Sequence, residues 1–563
     1  MKITKTFSRI AILSFAVFLI AGFNKTSKEE NPGNFYSKQN PKRNHIAEEI
    51  QKQEGIVRFE NISVFNINPT FQVSGQSGFV KKATFLKLDN NSLINLMKNK
   101  PENILLTIPA GNNSAIQLEL TSTKIFTDEF LKKSTYTPGI YYHGIIKGNK
   151  NSLATVSFFK NLVMGIISTD EGNFNLGPLK NGQNTLSNDY IFYNDEDMLV
   201  KSKFHCMTDD VKNFRGYNHP NIQVPHDGIQ TTRPIRVYYV ADYDMYQYFN
   251  SNETDVQNFI TGAFANVQTL YANESIPVAL SGIGIYTSPD PYINLYSSDT
   301  ILTLFGYETQ DTFDGDLAQL LSTAHGDSLG GIAWINVLCQ TYNPDDNSGR
   351  YSYCNIEPSY TPFPTYSWTV TVMTHEMGHN LASRHTHACV WPVLPNNGIG
   401  QIDSCFASWE TCTPLTQPNY NGTIMSYCHL NGAVNLLYGF GPLPGDTIRL
   451  GYSLASCIDS ALNVSEVPVI YSLLQNYPNP FNPSTNIKFA LPDEGFVTIS
   501  LYDLTGKEIT NLINNKHYNQ GVYTVSFDAG LYKLATGVYL YRIYVNNNNK
   551  QNYTDIKKMV YIK

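Results

Sequence analysis

The chain has 563 residues, room for about three to five domains at roughly 100–200 residues each. Hydrophobic residues make up 42% and charged residues 15%, which supplies sizeable cores and excludes global disorder. The formal net charge of -7 argues against nucleic acid as a partner, because phosphate binding wants a basic face, and 37 tyrosines favour abundant β structure.

The first 24 residues read as a secretory signal peptide: Lys2, Lys5 and Arg9 precede an apolar run over 10–23 that ends at Ala21 and Gly22. No other run is long and apolar enough to span a bilayer, so no membrane span is expected after signal cleavage. Residues 25–54 are polar, without a hydrophobic period, and predict a flexible linker. Over 55–205, short apolar runs at 84–88, 104–108, 116–120, 154–159 and 163–168 alternate with Asn/Gly turn signals. That pattern predicts a β-rich domain, with one helix around 92–98.

A polar connector follows at 206–232, and a new unit occupies 233–460. A β-branched and aromatic strand is expected at 235–241. Apolar residues at helical spacing predict a helix over 255–271, and strand returns at 276–285. A second helix is expected at 317–325 and another strand at 331–338. Alternation of strand and helix makes this unit α/β. Composition changes again near Val464. Alternating segments at 497–503, 522–528, 538–545 and 557–562 predict a small antiparallel β-sandwich at 465–563.

Of eight cysteines, Cys206 stands apart, while Cys339, Cys354, Cys389, Cys405, Cys412, Cys428 and Cys457 crowd into one region. Behind a signal peptide, such clustering reads as a disulfide framework. Cys339 with Cys354 is a pairing offered on proximity alone.

The chemistry lies in Val372-Met-Thr-His-Glu-Met-Gly-His-Asn-Leu-Ala-Ser-Arg-His385. His375 and His379, four apart on a helix, present both imidazoles to one ion. His385 adds a third ligand once the chain leaves the helix. Three imidazoles leave a fourth position open, as a catalytic rather than a structural zinc requires. Glu376, on a neighbouring flank, is the candidate general base.

These residues resemble the metzincin metalloproteases, in their adamalysin or reprolysin-like branch. Gly422-Thr-Ile-Met-Ser-Tyr-Cys428 looks like the family's methionine turn, which makes Met425 a hydrophobic floor under the metal. Gly330, Gly331, Ile332, Ala333 and Trp334 look like the edge strand that pairs with extended substrate. Two departures stand out. Ala382 takes the place of the family's glycine, at a turn that wants a positive φ, and Thr386 stands where an aspartate often follows the third histidine. His387 is the alternative third ligand. Calcium is compatible with the resemblance, but no ligand set can be assigned.

Tyr142-His-Gly144, Gly148 and 152–157 resemble a reprolysin-type prodomain, which implies that Cys206 acts as a cysteine switch on the zinc. The competing expectation pairs Cys206 with the odd cysteine of the cluster. Residues 474–484, with their proline spacing, and the 557–563 segment resemble a type IX secretion sorting domain of Bacteroidota. The implied protein is a secreted or outer-membrane-surface zinc endopeptidase, made as a zymogen, with protein or peptide substrates and the type IX machinery as partners. One alternative is a surface adhesin with an inactive metzincin unit. Another is a structural zinc site closed by Cys389.

Overall fold

The computed structural model describes residues 44–563 except 54, 70–79, 112–113, 181–185, 201–204, 209–228, 232, 324–329, 357–358, 361–362, 395–397, 407–420, 431–432, 459, 463–470, 477 and 548–551. The expected signal peptide and the first part of the expected linker, 25–43, lie outside the described residues. The rest of that linker is a helix, His45–Gln53, which buries Ile46, Ala47 and Ile50. Its three apolar positions share one face, a period too short to register in a polar stretch of sequence.

Ten strands between Glu60 and Asn194 form one sheet. It is antiparallel except where Glu60–Ile62 runs parallel to Asn103–Pro109. The helix Asn90–Asn99 starts where the Asp89 side chain accepts from the backbone N–H groups of Asn91 and Ser92, a standard N-cap. Side chains alternate faces along Ile140–Ile146, Asn149–Phe158 and Val163–Thr169. Tyr142, Ala154, Val156 and Ile167 point into this body's own core, and Tyr141, Leu153, Met164 and Ile166 point the other way.

The second sheet runs in the order His205–Cys206, Gly330–Ala333, Tyr351–Ile356, Leu317–Thr323, Ile235–Ala241, Val278–Ile285. The last four strands are mutually parallel, and Gly330–Ala333 is antiparallel to its neighbour. Helices Glu253–Ala272 and Tyr366–Asn380 share a core on one face, and Ser298–Thr309 packs on the other. Residues 317–323 are therefore strand, not the expected helix. Leu317, Ala318, Gln319, Leu320 and Leu321 are all buried. A central parallel strand covered on both faces shows no alternation, so its short apolar run reads like a buried helix. The helix Ser298–Thr309, capped by Ser297, was not anticipated.

The C-terminal body has a three-stranded sheet, Ser472–Leu473, Ser484–Leu491 and Gly521–Asp528, and a four-stranded one, Glu508–Tyr518, Gly495–Tyr502, Gly537–Asn546 and Tyr553–Tyr561. Ile487, Phe489 and Phe527 of the first meet Val497, Ile499, Tyr541 and Ile543 of the second in one core.

Candidate metal centre

The helix Tyr366–Asn380 is buried along almost its whole length, which fixes the rotamers of the residues it carries. Nε2 of His379 lies 3.2 Å from Nε2 of His375 and 3.3 Å from Nε2 of His385. The opposite ring nitrogens are held. His375 Nδ1 meets the Ile424 carbonyl at 2.7 Å, and His379 Nδ1 meets the Ser383 carbonyl at 2.8 Å. A carbonyl only accepts, so both Nδ1 atoms carry the proton and both Nε2 atoms present lone pairs. Lone pairs facing each other at such distances repel unless a cation lies among them. Nitrogens at zinc's bond length of 2.0–2.1 Å in a tetrahedron stand about 3.3 Å apart, so the array fits that ion.

The turn that brings His385 back depends on one residue. Ala382 has φ +82°, a left-handed conformation, and sends Ser383 N–H back to the Gly378 carbonyl at 3.0 Å. Downstream, Thr386 N–H donates to the Met425 carbonyl at 3.1 Å, tying the loop that carries His385 to the segment around Met425. Met425 is fully buried, and a Cβ on Gly378 would stand 2.8 Å from its sulfur, so this helix position admits no side chain.

Glu376 is fully buried beside the histidines, and a Cβ on Gly331 would fall 2.4 Å from its Oε1. The carboxylate thus rests on the bare backbone of the strand Gly330–Ala333. Burial pushes its acidity down, raising the pKa well above the usual carboxylate range. Burial also holds His375 well below the ordinary imidazole value and His385 at about 3, so these rings are neutral, as ligands must be.

Cys206 completes the cluster. Its Sγ lies 3.5 Å from His379 Nε2 and 3.5 Å from Glu376 Oε2. Cys206, His375, His379 and His385 converge as one four-donor group. Zinc–sulfur bonds of 2.3 Å predict a sulfur-to-nitrogen separation of about 3.5 Å in a tetrahedron, so the thiol also fits. His205–Cys206 runs parallel to the strand Gly330–Ala333 and occupies its outer edge, with Met207 N–H donating to the Gly331 carbonyl at 2.8 Å. Trp334 lies just beyond that strand.

The cysteine framework differs from the proximity pairing. Cys339 bonds Cys457, 118 residues away, and Cys405 bonds Cys428. Cys389 is also disulfide-bonded, so it does not close the metal shell. Cys354 sits in the register opposite Gly331, with its thiol buried in the core. Cys206 and Cys354 are the free thiols among the described cysteines, which reconciles an even total with an unpaired Cys206.

Two further rings lie beside the site, one of them His387, which the sequence offered as an alternative third ligand. His387 is not a fourth imidazole of the converging group; its ring stacks on His385 with centroids 4.9 Å apart. Tyr427 packs against His385 at 4.9 Å and donates its hydroxyl to the Cys206 carbonyl. Its place two residues after Met425 was the only available clue.

Residues 231–435 match the model of metallo-peptidase family M12 in a reprolysin form, and residues 475–561 match the secretion system C-terminal sorting domain. The molecule is therefore a multidomain protein with a metallopeptidase domain of a family that uses zinc. Its sorting domain indicates a secreted or cell-surface protein, as is typical of Bacteroidota. Among the described residues, no helix is long and apolar enough to cross a membrane. Among solved structures, OgpA from Akkermansia muciniphila is 10% identical, with 58% of this chain and 92% of that chain covered at a TM-score of 0.21. CopC from Methylosinus trichosporium OB3b is 17% identical, with 16% and 93% covered at a TM-score of 0.14. Likenesses this weak say nothing about fold or function.

Proposed function

We propose that the chain is a secreted zinc endopeptidase in its latent form, with a prodomain over 55–205, a connector over 206–232, a catalytic domain over 233–460 and a sorting domain over 465–563. The observation that carries the reading is the convergence of three imidazole nitrogens, at tetrahedral separations, beside a buried glutamate.

His375, His379 and His385 would hold the zinc, which when bound polarises a peptide carbonyl and acidifies water. Glu376 is the general base: its carboxylate takes a proton from the attacking water and passes it to the leaving amine. The strand Gly330–Ala333 offers its outer edge to an extended substrate by strand addition, with Gly331, Ile332 and Ala333 pairing and Trp334 flanking. Met425 supports the floor of the site. In the latent form Cys206 acts as the cysteine switch: its sulfur would be a further donor to the metal beside the three imidazoles, and its strand covers the substrate's edge. Once that strand leaves, the Tyr427 hydroxyl, freed from the Cys206 carbonyl, can donate to a carbonyl of the peptide that replaces it. The C-terminal body is an address for the type IX machinery and takes no part in catalysis.

The test is proteolysis of a denatured protein mixture by the matured enzyme, beside Glu376→Gln and a chelator control. We expect the variant to retain zinc and lose at least about 10³-fold in kcat. A zinc-loaded, cut wild type that cleaves nothing would sink the reading.

A further inference from the structure

The N-terminal body and the peptidase unit share one hydrophobic core. Tyr141, Leu153, Phe159, Leu162, Met164 and Ile166 lie in the same buried cluster as Phe259, Ile260, Ala263 and Val267 of the helix Glu253–Ala272. That helix buries 15 of its 20 residues, among them Asn258, Thr261, Gly262 and Thr269. A helix buried all round has no solvent face to return to. A Cβ on Gly262 would stand 2.7 Å from the Met164 sulfur, so the N-terminal sheet reaches the helix backbone itself.

The polar groups at this junction are matched across it. Tyr136 donates to Asn258 at 2.8 Å, Thr155 pairs with Thr269 at 3.0 Å, and the Gln268 amide donates to the Lys124 carbonyl at 2.9 Å. Asn173 donates to the Val434 carbonyl at 2.8 Å and accepts from Leu436 N–H at 2.9 Å. Undocked, these buried groups would lose their partners together with the apolar contacts. The peptidase sheet is also extended at its far edge: Leu280 N–H donates to the Ile125 carbonyl at 2.7 Å, and Thr127 N–H to the Leu280 carbonyl at 2.9 Å. The Cys206 strand is different in kind. It is two residues long, and beyond Cys206 and Met207 it is held by the Thr208 hydroxyl on Ala333.

We infer that residues 45–198 are a permanent part of the folded peptidase, and that maturation is cleavage on both sides of the Cys206 strand, which frees that strand while the N-terminal body stays bound. The inference rests on the peptidase reading only in calling that cleavage maturation. The retained partner is this chain's own N-terminal piece, held through the sheet face opposite its private core.

The experiment uses the full chain with one specific protease sequence inserted between Met198 and His205 and a second between Thr208 and Arg233, so that cutting excises the Cys206 strand from both bodies. After cutting, the two large pieces should co-elute in size-exclusion chromatography at nanomolar concentration and separate only in denaturant. Separation under native conditions would overturn the inference. Met164→Glu, checked for folding before the cut by its melting profile, should release the N-terminal piece at least tenfold more readily. Should that variant not fold, Tyr136→Phe removes a single cross-junction hydroxyl and should speed release several-fold. Co-elution indifferent to either variant would overturn the assigned surface. Peptide cleavage, read in parallel, separates the two ideas: an inactive but co-eluting pair sinks the peptidase reading alone, and an active, lone catalytic piece sinks this inference alone.

Discussion

Gly331 decides where the carboxylate of Glu376 can rest, because a methyl group there would stand 2.4 Å from Oε1. Gly331→Ala should therefore lower kcat/KM by about 10–100-fold at unchanged zinc content, since a displacement near 1 Å at a catalytic group carries a penalty of that order. An enzyme with unaltered kinetics would mean that the carboxylate stands elsewhere when it works. Cys206 is the second decisive residue. Cys206→Ser removes the sulfur that faces His379, and the uncut variant should cleave a fluorogenic peptide at least about tenfold faster than the uncut wild type, a modest share of the affinity a thiolate adds to a zinc site. Latency that persists unchanged would assign inhibition to the strand alone. The three histidines and Glu376 were legible because their spacing maps onto a helix face. Cys206 came to the site only as what the resemblance implies, with a disulfide as its rival, because 170 residues separate it from Glu376 and no local pattern spans that distance.

At the scale of elements, sequence patterns worked where turn signals bounded a short apolar run or apolar residues recurred at helical spacing. The strands 84–88 and 163–168 and the helix 255–271 emerged close to their observed bounds, Thr84–Leu88, Val163–Thr169 and Glu253–Ala272. Leu317–Thr323 failed because its buried run has no alternation, and such a run reads as readily for a buried helix as for a strand. The disulfides belong to this scale too. Cys339–Cys457 ties the segment after the strand Gly330–Ala333 to the segment after the helix Pro442–Leu454. Closing 118 residues restricts the unfolded chain by up to about 5 kcal/mol in the loop-entropy account. Replacing both cysteines by serine should lower unfolding stability by about 3–5 kcal/mol in chemical denaturation. A loss below about 1 kcal/mol would place the tie in a region already ordered in the unfolded state.

For the whole molecule, the junction between the two large bodies carries a pH signature. Asp195 is buried beside Asn173, which itself donates to the Val434 carbonyl. Burial raises its pKa to about 6 from the ordinary 3.8. The folded state therefore favours the protonated acid. This contribution is fully present below about pH 4 and is lost as pH rises through 6, a change on the order of 3 kcal/mol. Asp195→Asn, which mimics the protonated form, should match the wild type near pH 4 and be more stable at pH 7, as read from thermal unfolding across that range. Parallel curves at both pH values would sink the assignment.

Sequence by itself brought out His375, His379, His385 and Glu376 by their spacing, marked the sorting tail and separated β-rich, α/β and β-rich stretches. Each of these is written in local spacing or composition, which short-range backbone geometry translates directly. Tertiary structure alone decided the disulfide partners, the free thiols, the strand at Leu317–Thr323 and the hold of the N-terminal sheet on the helix Glu253–Ala272. Those features depend on which buried faces meet, and facing surfaces are chosen by the packing of the whole chain rather than by any one segment of it.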